Sequence, residues 1–475
     1  MANRVLYPEW VEKHRQKGTN ISCIDGKYYL YSVSSKWNKE KGRAQKKTTG
    51  YLGRITEEGL IPKGIKAPKM KPVVTVKEYG ATGAVVELGK DILQKLRDKF
   101  GVSGEIVFAI ALSRLIEQCP FKRTENQYVN SYISEILPGL KLSPKDISLF
   151  LKDFGSKRAE MVEFMKGFIG DDANILFDGT AIVSDSNKMS VNRVGYNAQR
   201  RFNPQFNLMY AFSADEMQPV YYRIIAGNVR DVTALSLTLS ESGMKNGIVV
   251  ADKGFASENN FKDIESAQIK YIIPLKRNSV EIDYSAFKNG IKSAFDGHFM
   301  FKGRPIWFVK NGSIYSFLDP DLKADEERGY LSAIERETEG YEIAKFHEKQ
   351  HEFGSITLKS NAGKTAKETY LLYKQRHEIE QSFDFLKNLL EQDKSYMQSE
   401  KSLESWAFIN HITLLLCYKL YNLLKTKEII SQYSIADFIN HLKYIFKIKI
   451  DGIWRTSEIT KKTAAMINVL GLHIT

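Results

Sequence analysis

Two short apolar runs constrain this 475-residue chain more than any other feature: NILF and GIVVA, followed directly by Asp178 and Asp252. A short apolar run of this kind reads as a strand buried in a sheet. A carboxylate in such company is costly unless it sits at the strand's exposed end or meets a cation. Each aspartate has a glycine one or two places on, so the pair could converge at one edge of a sheet. Either acid alone also suits a strand-end turn. Between them lie FNLMYAFSA and QPVYYRIIAG, strand-like, and DVTALSLTLSESG, a helix opening near Asp231. Three strands, a helix and a strand predict a mixed α/β sheet.

The flanks divide by pattern. Residues 1–75 read as a small β-rich basic region that ends in the proline- and lysine-rich linker IPKGIKAPKMKP. Its turn, KWNKEKGRAQKK, sets Lys36, Lys39, Lys41, Arg43, Lys46 and Lys47 against Glu40 alone. That suits a solvated hairpin tip or a hairpin on phosphates. Residues 76–168 read as helical, either a DNA-binding arm or a packing domain, and Ser143–Pro144 has the form of a helix start. The α/β pattern of 169–270 gives way over 271–365 to strand-like, turn-rich sequence, as an inserted β domain would. A helix follows within 366–400, and 401–475 reads as helical to the end.

The formal charge of +13 favours a polyanionic partner, nucleic acid before membrane. Three scattered cysteines without a CxxC argue against disulfides and zinc ribbons. MANRVLYPEWVEKHRQ has no apolar core of a signal peptide. WAFINHITLLLCYKLYNLL contains Asn410, His411 and Lys419, too polar for a membrane span. The expected location is the cytoplasm, on chromosomal DNA.

On the helix near residue 380, at about 100° per residue, Tyr373, Arg376, Glu380 and Lys387 fall within about 60° of one another. They border the apolar stripe of Ile379, Phe383, Leu386 and Leu390, while Glu378 faces elsewhere. Arg376 and Glu380 also suit an ordinary ion pair four apart. If Glu380 joins Asp178 and Asp252, three carboxylates make an oxygen-donor site for Mg²⁺, with Mn²⁺ as substitute. Two such ions can activate a water or a 3′-hydroxyl for attack on a phosphodiester. Arg376 and Lys387 would hold phosphates, one as a fork and one as a point charge.

Tyr-(2)-Arg-(3)-Glu-(6)-Lys, met by Tyr373, Arg376, Glu380 and Lys387, resembles the signature of DDE transposases of cut-and-paste prokaryotic insertion sequences. LFDGT and VVADKGF match the family's first and second aspartates, and GNVRDVT and GYLGRI are similar too. The resemblance implies an α/β, RNase H-like core (169–270 and 366–400) interrupted by a β-rich insertion, with N-terminal and C-terminal helical regions. It implies Asp178, Asp252 and Glu380 as catalytic metal ligands. It also implies double-stranded DNA as partner, both terminal inverted repeats and target, and a homodimer on paired ends that cuts strands and joins 3′-hydroxyls. Tyr373 would contact a phosphate or pack on the sheet. Trp307 would belong to the core of the insertion or stack a flipped base. The rivals are a nuclease of the same fold that never joins, and a non-catalytic DNA-binding derivative.

Overall fold

The computed structural model of the chain describes residues 6–39, 41–64, 74–170, 174–196, 202–229, 231–243, 247–251, 256, 258–266, 268–385, 387 and 394–474. It divides into two compact units, Met1–Val74 and Thr75–Thr475.

In the first unit a short helix α1 (Glu9–Glu12) precedes an antiparallel meander of β1 (Thr19–Ile24), β2 (Lys27–Asn38), β3 (Arg43–Thr56) and β4 (Gly59–Pro62). Asp25 and Gly26, both at positive φ (49° and 71°), close the first hairpin, the turn whose twist matches that of the flanking strands. Val11, Ile21, Leu30 and Ile55 form its small core, edged by Tyr7, Trp10 and Tyr28. Pairing with β1 stops at Ser32 and pairing with β4 at Gly53, whereas β2 and β3 stay paired out to Asn38 and Arg43.

The second unit begins at β5 (Val74–Glu78) and continues through α2 (Gly80–Leu88), α3 (Lys90–Phe100), α4 (Val102–Glu117), α5 (Thr124–Asn130), α6 (Ile133–Ile136), α7 (Pro144–Phe154) and α8 (Arg158–Lys166). Ser143 caps α7 by accepting the Asp146 N–H, with Pro144 in the first turn. The sheet core follows: β6 (Ile175–Ser184), β7 (Arg193–Tyr196), β8 (Phe202–Ser213), β9 (Gln218–Ala226), α9 (Asp231–Ser242), β10 (Ile248–Val250), α10 (Glu258–Ser266) and β11 (Lys270–Pro274). β6, β8 and β9 are antiparallel neighbours, and β10 lies against β6 and pairs in parallel with β11.

The insertion does not stand apart as a β domain. α11 (Ser285–Asn289), β12 (Gly297–Phe301), β13 (Arg304–Asn311), β14 (Ile314–Leu318), α12 (Pro320–Glu335), α13 (Ile343–Lys349) and β15 (Ser355–Ser360) follow in order. Their strands continue the core, in the sequence β10-β11-β15-β14-β13-β12. α12 and α13 correct the expectation of strands and turns. The signal was present: the Asp319 side chain accepts the Leu322 N–H, and Pro320 opens the helix.

After α14 (Ala366–Asp384) and the short β16 (Lys394–Ser395), which pairs with β6, comes α15 (Glu400–Thr426). Nearly every side chain of α15 from Leu403 to Leu424 is buried, and it packs against α2, α4, α7 and β9. A helix buried on nearly all sides thus serves as the pillar of the core; among the described residues no helix is long and apolar enough to cross a membrane. α16 (Ile435–Leu442) leads to a hairpin, β17 (Phe446–Ile450) and β18 (Ile453–Thr456), in a sheet with β5, before α17 (Lys461–Leu470). The helical reading of 401–475 is corrected here. KIKIDGIW alternates around Asp451 and Gly452, both at positive φ (49° and 88°), the strongest short hairpin signal a sequence carries. The second unit is a mixed β-sheet core flanked by helices.

His411 of α15 is fully buried beside the rings of Tyr210 and Tyr222, and neither ring nitrogen has a hydrogen-bond partner among the described residues. Burial, with Arg158 nearby, depresses its pKa from 6.5 to about 3. Because the folded value lies below the unfolded one, the stability it contributes is present above pH 6.5 and is lost as pH falls towards 3. We expect a loss on the order of 1 kcal/mol per pH unit in that window, absent in His411→Phe, by denaturant unfolding. A second expectation concerns Gly155, whose added Cβ would lie 1.7 Å from the Lys401 carbonyl oxygen. Gly155→Ala should cost about 3 kcal/mol in the same measurement.

Candidate active site

α14 carries the site and is held from two sides. Tyr370, fully buried, places its ring 5.4, 5.3 and 5.0 Å from those of Phe299, Phe301 and Phe317 in the insertion strands. That aromatic seat, worth more than its area alone, fixes the helix against the insertion. Burial pushes the Tyr370 hydroxyl's pKa up and lowers that of Lys374, whose ammonium lies 5.2 Å from the Tyr370 ring. Tyr370 was not singled out in the sequence, where it is one more aromatic near the signature.

One to three turns further on, α14 packs on β6 and β10. The Arg376 guanidinium lies 2.8 Å from a Glu380 oxygen and 3.7 Å from a carboxylate oxygen of Asp178. Asp178 also accepts the Gly179 N–H at 2.8 Å. It does not end its strand, as the sequence suggested, but lies within it, opposite Tyr210, with six further residues of β6 beyond. The run AIVS extends the strand past the acid, and the cation supplies what exposure at a strand end would have given.

Asp178 lines a small cleft with Phe177, Gly179, Met209, Leu235, Val249 and Ala251. Ala251 is the chain neighbour of Asp252, which lies outside the described residues. Glu380 is about half exposed at 47%, against 20% for Asp178 and 18% for Arg376. His377 Nδ1 stands 3.6 Å from the second Glu380 oxygen. The sequence reading passed over His377, although His-(2)-Glu places the two on adjacent turns of one helix.

The remaining candidates divide. Tyr373 is half-buried and its ring packs against the main core. Lys387 is half-buried but lies beyond Asp384, the end of α14, in a wider π-type turn with Phe385. Lys36, Lys39, Lys41, Arg43, Lys46 and Lys47 are all exposed on and around the β2–β3 hairpin of the first unit. Trp307 packs among Phe295, His298 and the Lys292 ammonium beside a satellite core of Ala286, Phe287 and Leu318, which favours the packing role over a stacking one.

Among the described residues no three of His, Cys, Asp and Glu gather closely enough to hold a metal. The two described carboxylates nonetheless converge on one cation, and their donors are hard oxygens, so they fit Mg²⁺ or Mn²⁺ by chemistry.

The family description Transposase DDE domain matches residues 170–416, more than half of the chain. The chain belongs to the transposase DDE domain family. In this DDE domain the matched span contains β6, the insertion and α14, and ends within α15. Among solved structures it is similar to a cryo-EM structure of the piggyBac transposase synaptic complex with hairpin DNA. That likeness has 11% identity and a TM-score of 0.36, covers 77% of this chain and 76% of that one, and adds nothing to the assignment. No curated protein matches the chain.

The Arg376 pairs are partly exposed, one of them within a helix turn, so their worth to stability is small. Arg376→Gln should unfold within about 1 kcal/mol of wild type in a denaturant titration; a much larger loss would make the arginine a structural residue.

Proposed function

We propose that this DDE-family chain is a DNA transposase of a cut-and-paste prokaryotic insertion sequence, acting on chromosomal DNA in the cytoplasm. It binds the terminal inverted repeats, cleaves at the ends and joins the 3′-hydroxyls to target DNA, as a homodimer on paired ends. The observation that carries the proposal is the meeting of Asp178, from a core strand, and Glu380, from a helix some 200 residues away in sequence, at the single guanidinium of Arg376. An ordinary surface ion pair has no need of a second acid from the sheet. A core of RNase H-like type is the finer reading of the sheet, supported by the neighbour order β9, β8, β6, then β10 beside β6, then β11.

Asp178, Asp252 and Glu380 would hold Mg²⁺, with Mn²⁺ as substitute. When bound, the metal supplies charge neutralisation at the scissile phosphodiester and a more acidic attacking hydroxyl. The chain's own side chains do the rest. Arg376 faces the carboxylates as a planar fork suited to a non-bridging phosphate oxygen, Tyr373 and Lys387 flank the strand, and Tyr370 holds the helix still. The exposed cations Lys36, Lys39, Lys41, Arg43, Lys46 and Lys47 supply further phosphate contacts.

The test uses DNA carrying the sequences that flank the reading frame, a labelled target, and either Mg²⁺ or chelator. Wild type should cut at the ends and join them to the target only with metal. Glu380→Gln should lose both activities by at least about a hundredfold while still binding DNA. Cutting without joining would indicate a nuclease, and binding with no chemistry in either metal would indicate a non-catalytic derivative.

A further inference from the structure

Beyond Val33 the strands β2 and β3 have no sheet neighbour but each other among the described residues. The two segments Ser34–Asn38 and Arg43–Lys47 therefore form a two-stranded ribbon, about 17 Å long at the rise of an extended chain. All of its residues are exposed except Asn38, which is half-exposed. Neither segment contains an acid.

Register sorts its side chains, because residues directly opposed in an antiparallel pair point to the same face and successive residues to opposite faces. Ser34 opposes Lys47, Lys36 opposes Gln45, and Asn38 opposes Arg43. One face thus presents three cations and three neutral polar side chains and nothing apolar. The other face presents Trp37 opposite Ala44, and Lys46 opposite Ser35. On the polar face the Asn38 amide nitrogen donates to Gln45 Oε1 at 3.1 Å, and Asn38 Oδ1 accepts the Lys41 N–H at 3.1 Å. The amides are therefore held in place, not left to flicker.

We infer that this face enters the major groove of double-stranded DNA, with Lys36, Arg43 and Lys47 against the phosphates and Gln45, with Asn38, reading base edges. The inference rests on the transposase proposal and deepens it, turning a phosphate-contacting hairpin into the element that recognises sequence. A two-stranded ribbon fits the major groove, which is about 12 Å wide. Asparagine and glutamine are the side chains that pair with both the donor and the acceptor on an adenine edge. A protein partner would want apolar area at its centre, and this face has none. On β3 Gln45 lies between Lys47 and Arg43, with Lys36 opposite it and Asn38 at the tip end, so each amide has a cation beside it, as a groove walled by phosphate and floored by base edges requires.

The experiment is equilibrium binding of the full-length chain, by fluorescence anisotropy over a salt series. The probes are duplexes of the DNA that flanks the reading frame and scrambled duplexes of the same composition. Gln45→Ala should shrink the preference for the flanking duplex about tenfold and leave scrambled binding unchanged. Lys36→Gln, Arg43→Gln and Lys47→Gln together should weaken both probes alike and flatten the log–log salt dependence by about 3. Trp37→Ala, on the opposite face, should change neither. All five sites are on an exposed ribbon, so circular dichroism should match wild type. Unchanged preference and unchanged salt slope, in a wild type that binds duplex, would overturn the ribbon assignment while leaving cutting and joining untouched. A wild type that binds no duplex at all would overturn it together with the transposase reading.

Discussion

Two carboxylates that converge on one point from different elements repel one another, and the rest of this site depends on how that repulsion is offset. Arg376 does so with one planar group. It reaches Glu380 on its own helix and Asp178 on the neighbouring strand, so helix and strand are held in one relation by charge as well as by packing. A lysine in that place could not span both acids with a rigid fork. Because Glu380 is much more exposed than Asp178, the site opens towards solvent on the helix side and is walled by apolar residues on the strand side, as the cleft of Phe177, Met209, Leu235 and Val249 makes plain.

The electrostatic clasp would be loose without the aromatic seat one and a half turns earlier. Tyr370 sits among three phenylalanines of the insertion, and the insertion's strands continue the sheet begun by β10 and β11. The insertion is thus bound to the core twice, through a shared sheet and through the helix that carries Glu380. A shift of the insertion would be passed to α14, and so to the acids. That coupling gives an inserted segment of about ninety residues a direct part in the geometry of the site.

Behind the sheet, α15 carries the burden of packing, with a half-buried polar network at its flank. Arg158 pairs with Glu241 and Glu404 at 2.8 and 2.7 Å and donates to the carbonyl of Tyr222. This ties α8, α9 and α15 to β9. A half-buried charge in such a set is tolerated because its partners are present. His411, two turns along α15 from Glu404, is tolerated for a different reason: it stays neutral.

Local pattern alone supplied a good part of this description. Apolar runs located β6 and β10, the Ser143–Pro144 start located α7, and spacing put Arg376 and Glu380 on one helix face, since these depend on neighbours within a few residues. The signals for α12 and for the Asp451–Gly452 hairpin were equally local but were overridden by the character of their surroundings. What the sequence could not hold was any distance between segments far apart in the chain: that Asp178 lies within its strand and meets Arg376, that Tyr370 is seated in the insertion, and that ribbon residues divide into a polar face and a tryptophan face. Residue type and period are properties of a short stretch, whereas strand register and helix docking are set by which surfaces exclude water together, and only the folded chain decides that.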